Sequence, residues 1–223
     1  MLSPQYNHRS LPAAGAIQNM VKMPPFLSPH RNEDGSYPRA PDYVTHVTVS
    51  AGANPMAMAD ESHYYDHIFN NNGEFYLSAN ILDNLTIRSS VGARLRYVES
   101  ERFAGSEANS NRQASGSESR SRLINLINEN ILTYQESFGS HEVRGLRGSS
   151  FQHQGTWNNS IGTVTGSYSN ETIRTINNAV VNPTATSSSK SQWGLASYFG
   201  RVNYDYESRY LLSGSIRTDG SSR

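Results

Sequence analysis

The sequence predicts an all-β chain, a segment of an antiparallel transmembrane β-barrel with about three hairpins and long extracellular loops. Side chains alternate between apolar and polar over stretches of about ten residues, which is the length that a tilted strand needs to cross a bilayer. Short turns join these stretches in pairs, and long segments rich in Ser, Asn, Gly and Thr separate the pairs. No apolar run approaches the ~20 residues of a transmembrane helix. The segment is predicted to be an incomplete barrel.

The last predicted hairpin covers residues 193–218 and turns at 207–209. On both sides of this turn, alternate residues separate an apolar or small face from a polar face. Arg201, Asn203 and Arg217 lie on the polar face and are candidates for the barrel lumen. Tyrosines on the other face resemble the aromatic girdle at a membrane interface. Together with one tyrosine of the first hairpin, the lipid-facing or girdle candidates are Tyr97, Tyr198, Tyr204, Tyr206 and Tyr210.

The first predicted hairpin covers residues 69–98 and turns at Asp83 and Asn84. Its second strand shows the cleanest alternation in the chain, with Leu, Ile, Val, Ala and Tyr on one face. Arg88, Arg94 and Arg96 share the other face. Because arginine is costly toward lipid, these three side chains are predicted to face the lumen.

The middle predicted hairpin covers residues 123–153 and turns at 138–140. Its alternation is less regular than that of the other two hairpins. Glu129 and Arg147 interrupt whichever face is taken as apolar. The pattern nevertheless predicts a pair of strands here, and the barrel wall as a whole is predicted over residues 67–223.

Loop lengths predict the orientation of the wall. Residues 99–122 and 154–192 form long connections, and outer-membrane barrels keep long loops outside and short turns in the periplasm. Residues 1–66 are predicted to be a further extracellular loop region. It contains a short helix within 11–23, where apolar residues have roughly helical spacing ahead of Pro24 and Pro25.

Other classes of function receive little support. The 19 basic and 19 acidic residues balance, which argues against nucleic-acid binding, and the chain has no cysteine. His63 and His67 have a spacing that could form half of a metal site on a helix, but no third histidine follows at a suitable distance, so we expect a metal-free surface loop. No nucleophile elbow, phosphate loop or dinucleotide motif is present. We therefore predict no enzyme activity, no catalytic residues and no cofactor.

The final stretch has a more specific resemblance. It reads SYFGRVNYDYESRYLLSGSIRTDGSSR. This run resembles the barrel segment of SusC/RagA-type TonB-linked outer-membrane transporters, which carry an S-x-F-G-R-x-N-Y strand, a short turn, a Y-L-L-x-x-S-x-R strand and then D-G-S-S-R-F. Residues 132–148 resemble the family's L-T-Y-x-x-x-F-G-x-H segment, and 54–57 resemble its N-P-x-A element.

The resemblance implies energised import of oligosaccharides, or in some members peptides, across the outer membrane. It implies contact of a plug with the TonB complex, a SusD-like lipoprotein over the exterior opening, and outer-membrane lipid around the wall. Neither plug nor TonB box is visible here, and no signal peptide follows Met1, so we expect an internal piece of a longer protein. For most lumen candidates, interstrand hydrogen bonding or plug packing is the alternative to ligand contact.

The chief alternative is a soluble secreted all-β domain, such as a carbohydrate-binding sandwich or an adhesin module, whose strands alternate for a core. An extracellular hydrolase is a second alternative, for which the sequence offers no motif. The tyrosines distinguish a barrel from a sandwich. On a barrel they meet lipid headgroups, whereas in a sandwich they are buried.

Overall fold

The computed structural model describes residues 2–13, 15–39 and 52–223, which form one seven-stranded antiparallel sheet with a cap at one end. Strand order follows chain order, with β1 and β7 at the two edges. The predicted all-β, antiparallel and unclosed sheet is therefore confirmed. The elements are β1 (Leu2–Leu11), α1 (Ala16–Lys22), α2 (Pro55–Glu61), β2 (Ser62–Leu82), β3 (Leu85–Ala104), β4 (Ser115–Phe138), β5 (His141–Thr163), a 3-10 turn (Ile176–Asn178), β6 (Val181–Tyr206) and β7 (Tyr210–Ser221).

All three predicted hairpins are present, but their strands are longer than the sequence predicts. The β3–β4 connection spans only 105–114 instead of 99–122. The β5–β6 connection spans 164–180 instead of 154–192. Most of the added strand residues are polar on both faces, so they show little of the alternation that would predict strands.

β1 is a strand that the sequence analysis does not predict. It lies within the region 1–66 predicted as loop, yet it pairs along β2 from Leu2 opposite Gly73 to Leu11 opposite Tyr64. The short helix predicted in the same region is present as α1. Residues 1, 14 and 40–51 of this region lie outside the described residues.

The short turns lie together at one end of the sheet. Asp83 and Asn84 join β2 to β3, as predicted. The β4–β5 turn is one residue shorter than predicted, because Phe138 still pairs with His141. In the β6–β7 turn, Glu207 and Ser208 both have φ of 53°, as in the type I′ turns whose twist matches that of a hairpin.

The buried apolar residues lie at the opposite end, in a cap formed by the long connections and the adjoining strand ends. Arg39, only 3% exposed, donates hydrogen bonds to the carbonyls of Ser106, Glu107 and Ser110. Asn54 caps α2 by accepting a hydrogen bond from the Met56 amide. The buried apolar set is Ala13, Leu27, Tyr37, Ala53, Ala57, Phe103, Ala104, Ala108 and Ala114.

No helix within the described ranges has the length and apolar character needed to cross a membrane.

Candidate functional site

The strand register divides the side chains of the sheet into two faces. Residues directly opposite each other across an antiparallel pair lie on the same face. The face that contains Arg94 of β3 continues through Asn125 of β4 and Gln154 of β5, and we call it the polar face. The other face contains Leu95 and Tyr97 of β3, and we call it the apolar face.

The six residues that the sequence predicts for the lumen all lie on the polar face. Arg88, Arg94 and Arg96 lie there on β3, and the register carries this face through β4 and β5 to β6 and β7. Asn203 stands between Arg144 and Ser213. The remaining two residues, Arg201 and Arg217, occupy the same face.

The β2–β3 part of the polar face holds paired charges beside an aromatic ring. The guanidinium of Arg88 lies 4.3 Å from the ring centre of Tyr76 and 3.8 Å from Glu74 Oε1. Next to it, a depression of about 440 Å³ is lined by Arg94, Glu129 and nine other residues. The side chains here offer both hydrogen-bond donors and acceptors.

Amide side chains bridge β4 and β5 on the polar face. Asn125 Nδ2 donates to Gln154 Oε1 at 3.0 Å, and Gln152 Nε2 donates to Asn125 Oδ1 at 3.2 Å. These contacts join polar side chains of neighbouring strands, although none of them belongs to a predicted lumen candidate.

Arg217 is held between two groups on the polar face of β6 and β7. Its Nε donates to Asp219 Oδ1 at 2.9 Å, and its Nη2 donates to Ser197 Oγ at 3.3 Å. Ser197 is only 1% exposed. Arg217 also lies 5.9 Å from the ring centre of Phe199. Three motif residues, Ser197, Phe199 and Arg217, thus form one contact set.

Nearer the turns, Asn203 lines a second depression of about 360 Å³ with Glu142, Arg144, Asp205 and four other residues. Arg144 Nε donates to Glu142 Oε1 at 2.7 Å, and the Gln135 amide donates to the same oxygen at 3.1 Å. Arg144 therefore has an internal partner.

The apolar face exposes large side chains to its surroundings. Leu212 is 71% exposed and Ile216 is 79% exposed. No second sheet packs on this face within the described residues, since they form a single sheet. A continuous exposed apolar surface is unusual for a soluble monomer and marks a contact with lipid or another partner.

The five girdle candidates all lie on the apolar face, in two groups. Near the short turns, Tyr204 Oη lies 2.6 Å from His141 Nδ1, and the rings of Tyr206 and Tyr210 are stacked at 6.3 Å. Farther from the turns, Tyr97 contacts Phe69 at 6.2 Å and Tyr198 contacts Phe151 at 5.8 Å between ring centres. By analogy with the aromatic residues at the two membrane interfaces of a barrel, we call these two groups the aromatic belts.

Glu129 and Arg147 do not interrupt the same face. Glu129 lies on the polar face opposite Ser150. Arg147 lies on the apolar face, between Leu132 of β4 and Gly200 of β6, and its side chain is exposed. Of these two charged residues, Arg147 is the one that interrupts the apolar face.

On the side of the apolar face, the sheet has a groove of about 770 Å³ that includes the farther-belt residues Phe69 and Tyr97 and that sequence reasoning missed. Trp157 lies there between Arg122, at 4.3 Å, and Lys190, at 5.7 Å from its ring centre. His67 also lines this groove. It lies on strand β2 together with His63, so the surface loop expected for these two residues is wrong, and they do not lie on a helix either.

One ion pair at this end perturbs a pKa. Asp66 Oδ1 accepts a hydrogen bond from Arg102 Nη2 at 2.6 Å. Burial raises the pKa of Asp66, but hydrogen bonds from Arg102 and Ser100 and the charge of Arg102 outweigh burial and hold this pKa below its usual value.

Comparison with known proteins gives matches over most of the chain. It is 31% identical over 179 residues to TonB-dependent receptor P39 of Formosa agariphila, covering 76% of this chain and 17% of that protein. It is 32% identical over 204 residues to TonB-dependent receptor P26 of the same organism, covering 87% of this chain and 20% of that protein. No family model matches the chain.

The fold also matches a solved structure, that of the RagAB peptide transporter. The TM-score is 0.72 at 16% identity, over 81% of this chain and 20% of that chain. The resemblance indicated by the strand motifs is therefore confirmed. The chain spans about a fifth of the length of the curated relatives it matches.

Proposed function

Because the chain is an outer-membrane barrel segment of the TonB-dependent receptor type, we propose that it forms part of the wall of an energised importer. In this proposal the polar face lines the lumen and the apolar face contacts lipid. One observation carries it. The register assigns six arginine and asparagine candidates to one face and five tyrosines to the other.

The exposure of the apolar face supports the membrane assignment. Leucine and isoleucine side chains with more than two thirds of their surface exposed, such as Leu212 and Ile216, are stable in lipid but costly in water. The alternative sandwich domain requires tyrosines that are buried in a core. Tyr198 is instead 51% exposed and Tyr210 is 70% exposed.

Orientation follows from the two ends of the sheet. The short turns belong in the periplasm and the cap with its long connections belongs outside, as in other outer-membrane barrels. The cap then stands at the exterior opening, where a SusD-like surface lipoprotein would meet it. The TonB complex would act through a plug that this segment does not supply.

The cargo is an oligosaccharide or a peptide. Exposed guanidinium groups such as Arg94, Arg96 and Arg201 can donate hydrogen bonds to sugar hydroxyls and to peptide carbonyl or carboxylate groups. A solved structure of similar fold is described as a peptide transporter. Arg217 and Arg144, which are bonded to Asp219 and Glu142, are better suited to stiffening the wall.

Cysteine accessibility tests the assignment of the faces. The chain has no cysteine, so labels introduced here add no background from this segment. In outer membranes that contain the full-length protein, Ser213→Cys should react with a small water-soluble maleimide, and Leu212→Cys should react far more slowly. Equal labelling of the two variants, or the reverse order, would contradict the proposal and favour a soluble β-domain.

Uptake tests the transport function. Cells that carry the full-length protein should accumulate a labelled oligosaccharide or peptide mixture only when TonB is present. Arg94→Ala and Arg201→Ala should lower uptake more than Arg144→Ala, whose guanidinium is already paired with Glu142. TonB-independent accumulation would contradict energised import. The labelling of the two cysteine variants would still test separately which face of the wall meets water.

A further inference from the structure

We propose that Tyr6, His8 and His67 form a binding site for a divalent transition-metal ion such as Zn²⁺. His8 and His67 stand directly opposite each other across the β1–β2 pair, so both rings lie on the side of the apolar face. His8 and His67 lie one cross-strand row of this face beyond Phe69 and Tyr97, whereas Tyr6 stands directly opposite Phe69.

The distances between the possible ligand atoms fit one shared ion. His8 Nδ1 lies 3.2 Å from His67 Nδ1, and Tyr6 Oη lies 3.0 Å from the same nitrogen. A tetrahedral zinc ion with bonds of about 2.0 to 2.1 Å separates two ligand nitrogens by about 3.3 Å. The two imidazoles could therefore bind one ion with small adjustments of their side chains.

The strand geometry holds these side chains together. Tyr6 and His8 are two residues apart on β1 and so point to the same side. The ring of His8 is stacked on Tyr65 at 5.5 Å, and its centre lies 4.5 Å from that of His67. These contacts restrict the imidazoles before any ion binds, which lowers the entropic cost of binding.

The site leaves room for solvent ligands. Tyr6 is 67% exposed, and His8 is also exposed. Glu99 stands opposite His67 on β3, but it accepts a hydrogen bond from Arg120 Nε at 2.6 Å and is engaged there. Among the described residues, no group of three or more His, Cys, Asp or Glu side chains could hold a metal ion. Water would thus complete the coordination around two imidazoles and one phenol.

Imidazole donors select the class of ion. Neutral imidazole nitrogen suits Zn²⁺, Cu²⁺ and Ni²⁺, whereas Mg²⁺ and Ca²⁺ require oxygen ligands. An ion here would replace the hydrogen bond between the two Nδ1 atoms and would crosslink β1 to β2. This role is independent of which face lines the lumen.

Titration of the detergent-solubilised full-length protein with Zn²⁺, after removal of metal with EDTA, tests the site. His67→Gln and His8→Gln should each remove one equivalent of bound zinc or weaken its binding at least about tenfold. A loss of roughly this size already follows when outer-shell partners of metal sites are changed. Tyr6→Phe should have a smaller effect. His63→Gln is the matched control, because His63 lies on the same strand and face but contacts Phe103. Unchanged zinc binding by His67→Gln would overturn the site.

A second measurement needs no variant and so does not depend on the assembly of altered proteins. Diethyl pyrocarbonate modifies accessible imidazoles, and mass spectrometry locates the modified residues. Zn²⁺ should protect His8 and His67 in the natural protein but should leave His63 unchanged, and Mg²⁺ should protect none of them. Equal modification of His8 and His67 with and without Zn²⁺ would contradict the proposal.

Discussion

The ring of Phe199 lies over Gly148, its direct partner across β5 and β6. A Cβ atom at position 148 would collide with this ring. The close approach explains why a buried glycine stands opposite the aromatic residue of the S-x-F-G-R motif. The guanidinium of Arg217 lies 5.9 Å from the centre of the same ring, so the glycine at position 148 helps to position the Ser197, Arg217 and Asp219 contacts.

Gly148→Ala should therefore destabilise the full-length protein by about 1 to 3 kcal/mol, because the Phe199 ring must move away from its packed position. Urea unfolding in lipid vesicles would measure the loss. Gly145→Ala is the control on the same strand, since nothing lies within 4 Å of a Cβ there. In a Phe199→Leu background the effect of Gly148→Ala should shrink. An equal cost in both backgrounds would show that the ring is not the cause.

Exchange of neighbouring residues for arginine should separate the two faces of β7. Leu212→Arg should cost about 2 to 4 kcal/mol if it meets lipid near the midplane, and Val202→Arg on β6 should behave similarly. Ser213→Arg, one residue from Leu212 but on the polar face, should assemble normally. Heat-modifiable mobility in gels reports assembly of each variant. Normal assembly of both Leu212→Arg and Val202→Arg would count against a lipid-facing surface.

Arg147→Leu should stabilise the assembled protein. The Arg147 side chain lies on the apolar face between Leu132 and Gly200, where a charge is costly unless its guanidinium reaches the interface. A gain of up to about 2 kcal/mol is expected, falling toward zero if the side chain reaches polar headgroups. Arg144→Leu on the polar face should give no gain, because it removes the bond to Glu142. Loss of stability in Arg147→Leu would instead indicate a specific protein contact at this position.

The Asp66–Arg102 pair should make the far ends of β2 and β3 sensitive to acid. Because the folded-state pKa of Asp66 lies below its unfolded value of about 3.9, the pair contributes stability above that pH and loses it as the pH falls through the folded pKa. Asp66→Asn should cost about 1 to 2 kcal/mol at pH 7, and this cost should shrink as the pH falls through the folded-state pKa of Asp66. Hydrogen exchange at the amides near Tyr65 and Glu101 would report the local change. A cost independent of pH would show that the charge of Asp66 is not responsible.

The sequence predicts the part of the fold that lies between the two aromatic belts. In the proposed barrel wall, one face there would contact lipid and the other water, so the different characters of Leu212 and Ser213 would follow from their different environments. Elsewhere the strands carry mostly polar residues on both faces. Residues 2–11 and the far end of β3, including Ser100 and Glu101, therefore show little alternation, and the sequence does not predict them as strands.

In the candidate site too, the sequence predicts only what depends on the alternation of side chains along a strand. The sequence places Arg94, Arg201 and Asn203 on one face because each lies in an alternating stretch. It gives no indication that His8 meets His67, because their contact depends on pairing between residues 59 positions apart. The sequence does not predict the cap either. Arg39 is buried there by hydrogen bonds to backbone carbonyl groups, which every residue has, so no side-chain pattern marks its partners.

The sequential strand order described above also determines how such a wall would yield to mechanical force. Each strand is hydrogen-bonded to its sequence neighbours and to no distant strand within the described sheet. Tension applied to β7 would first load only the hydrogen bonds between β6 and β7, and the bonds between β5 and β6 would follow. The strands would then separate one after another, and each released strand would leave the pairing of the remaining strands intact.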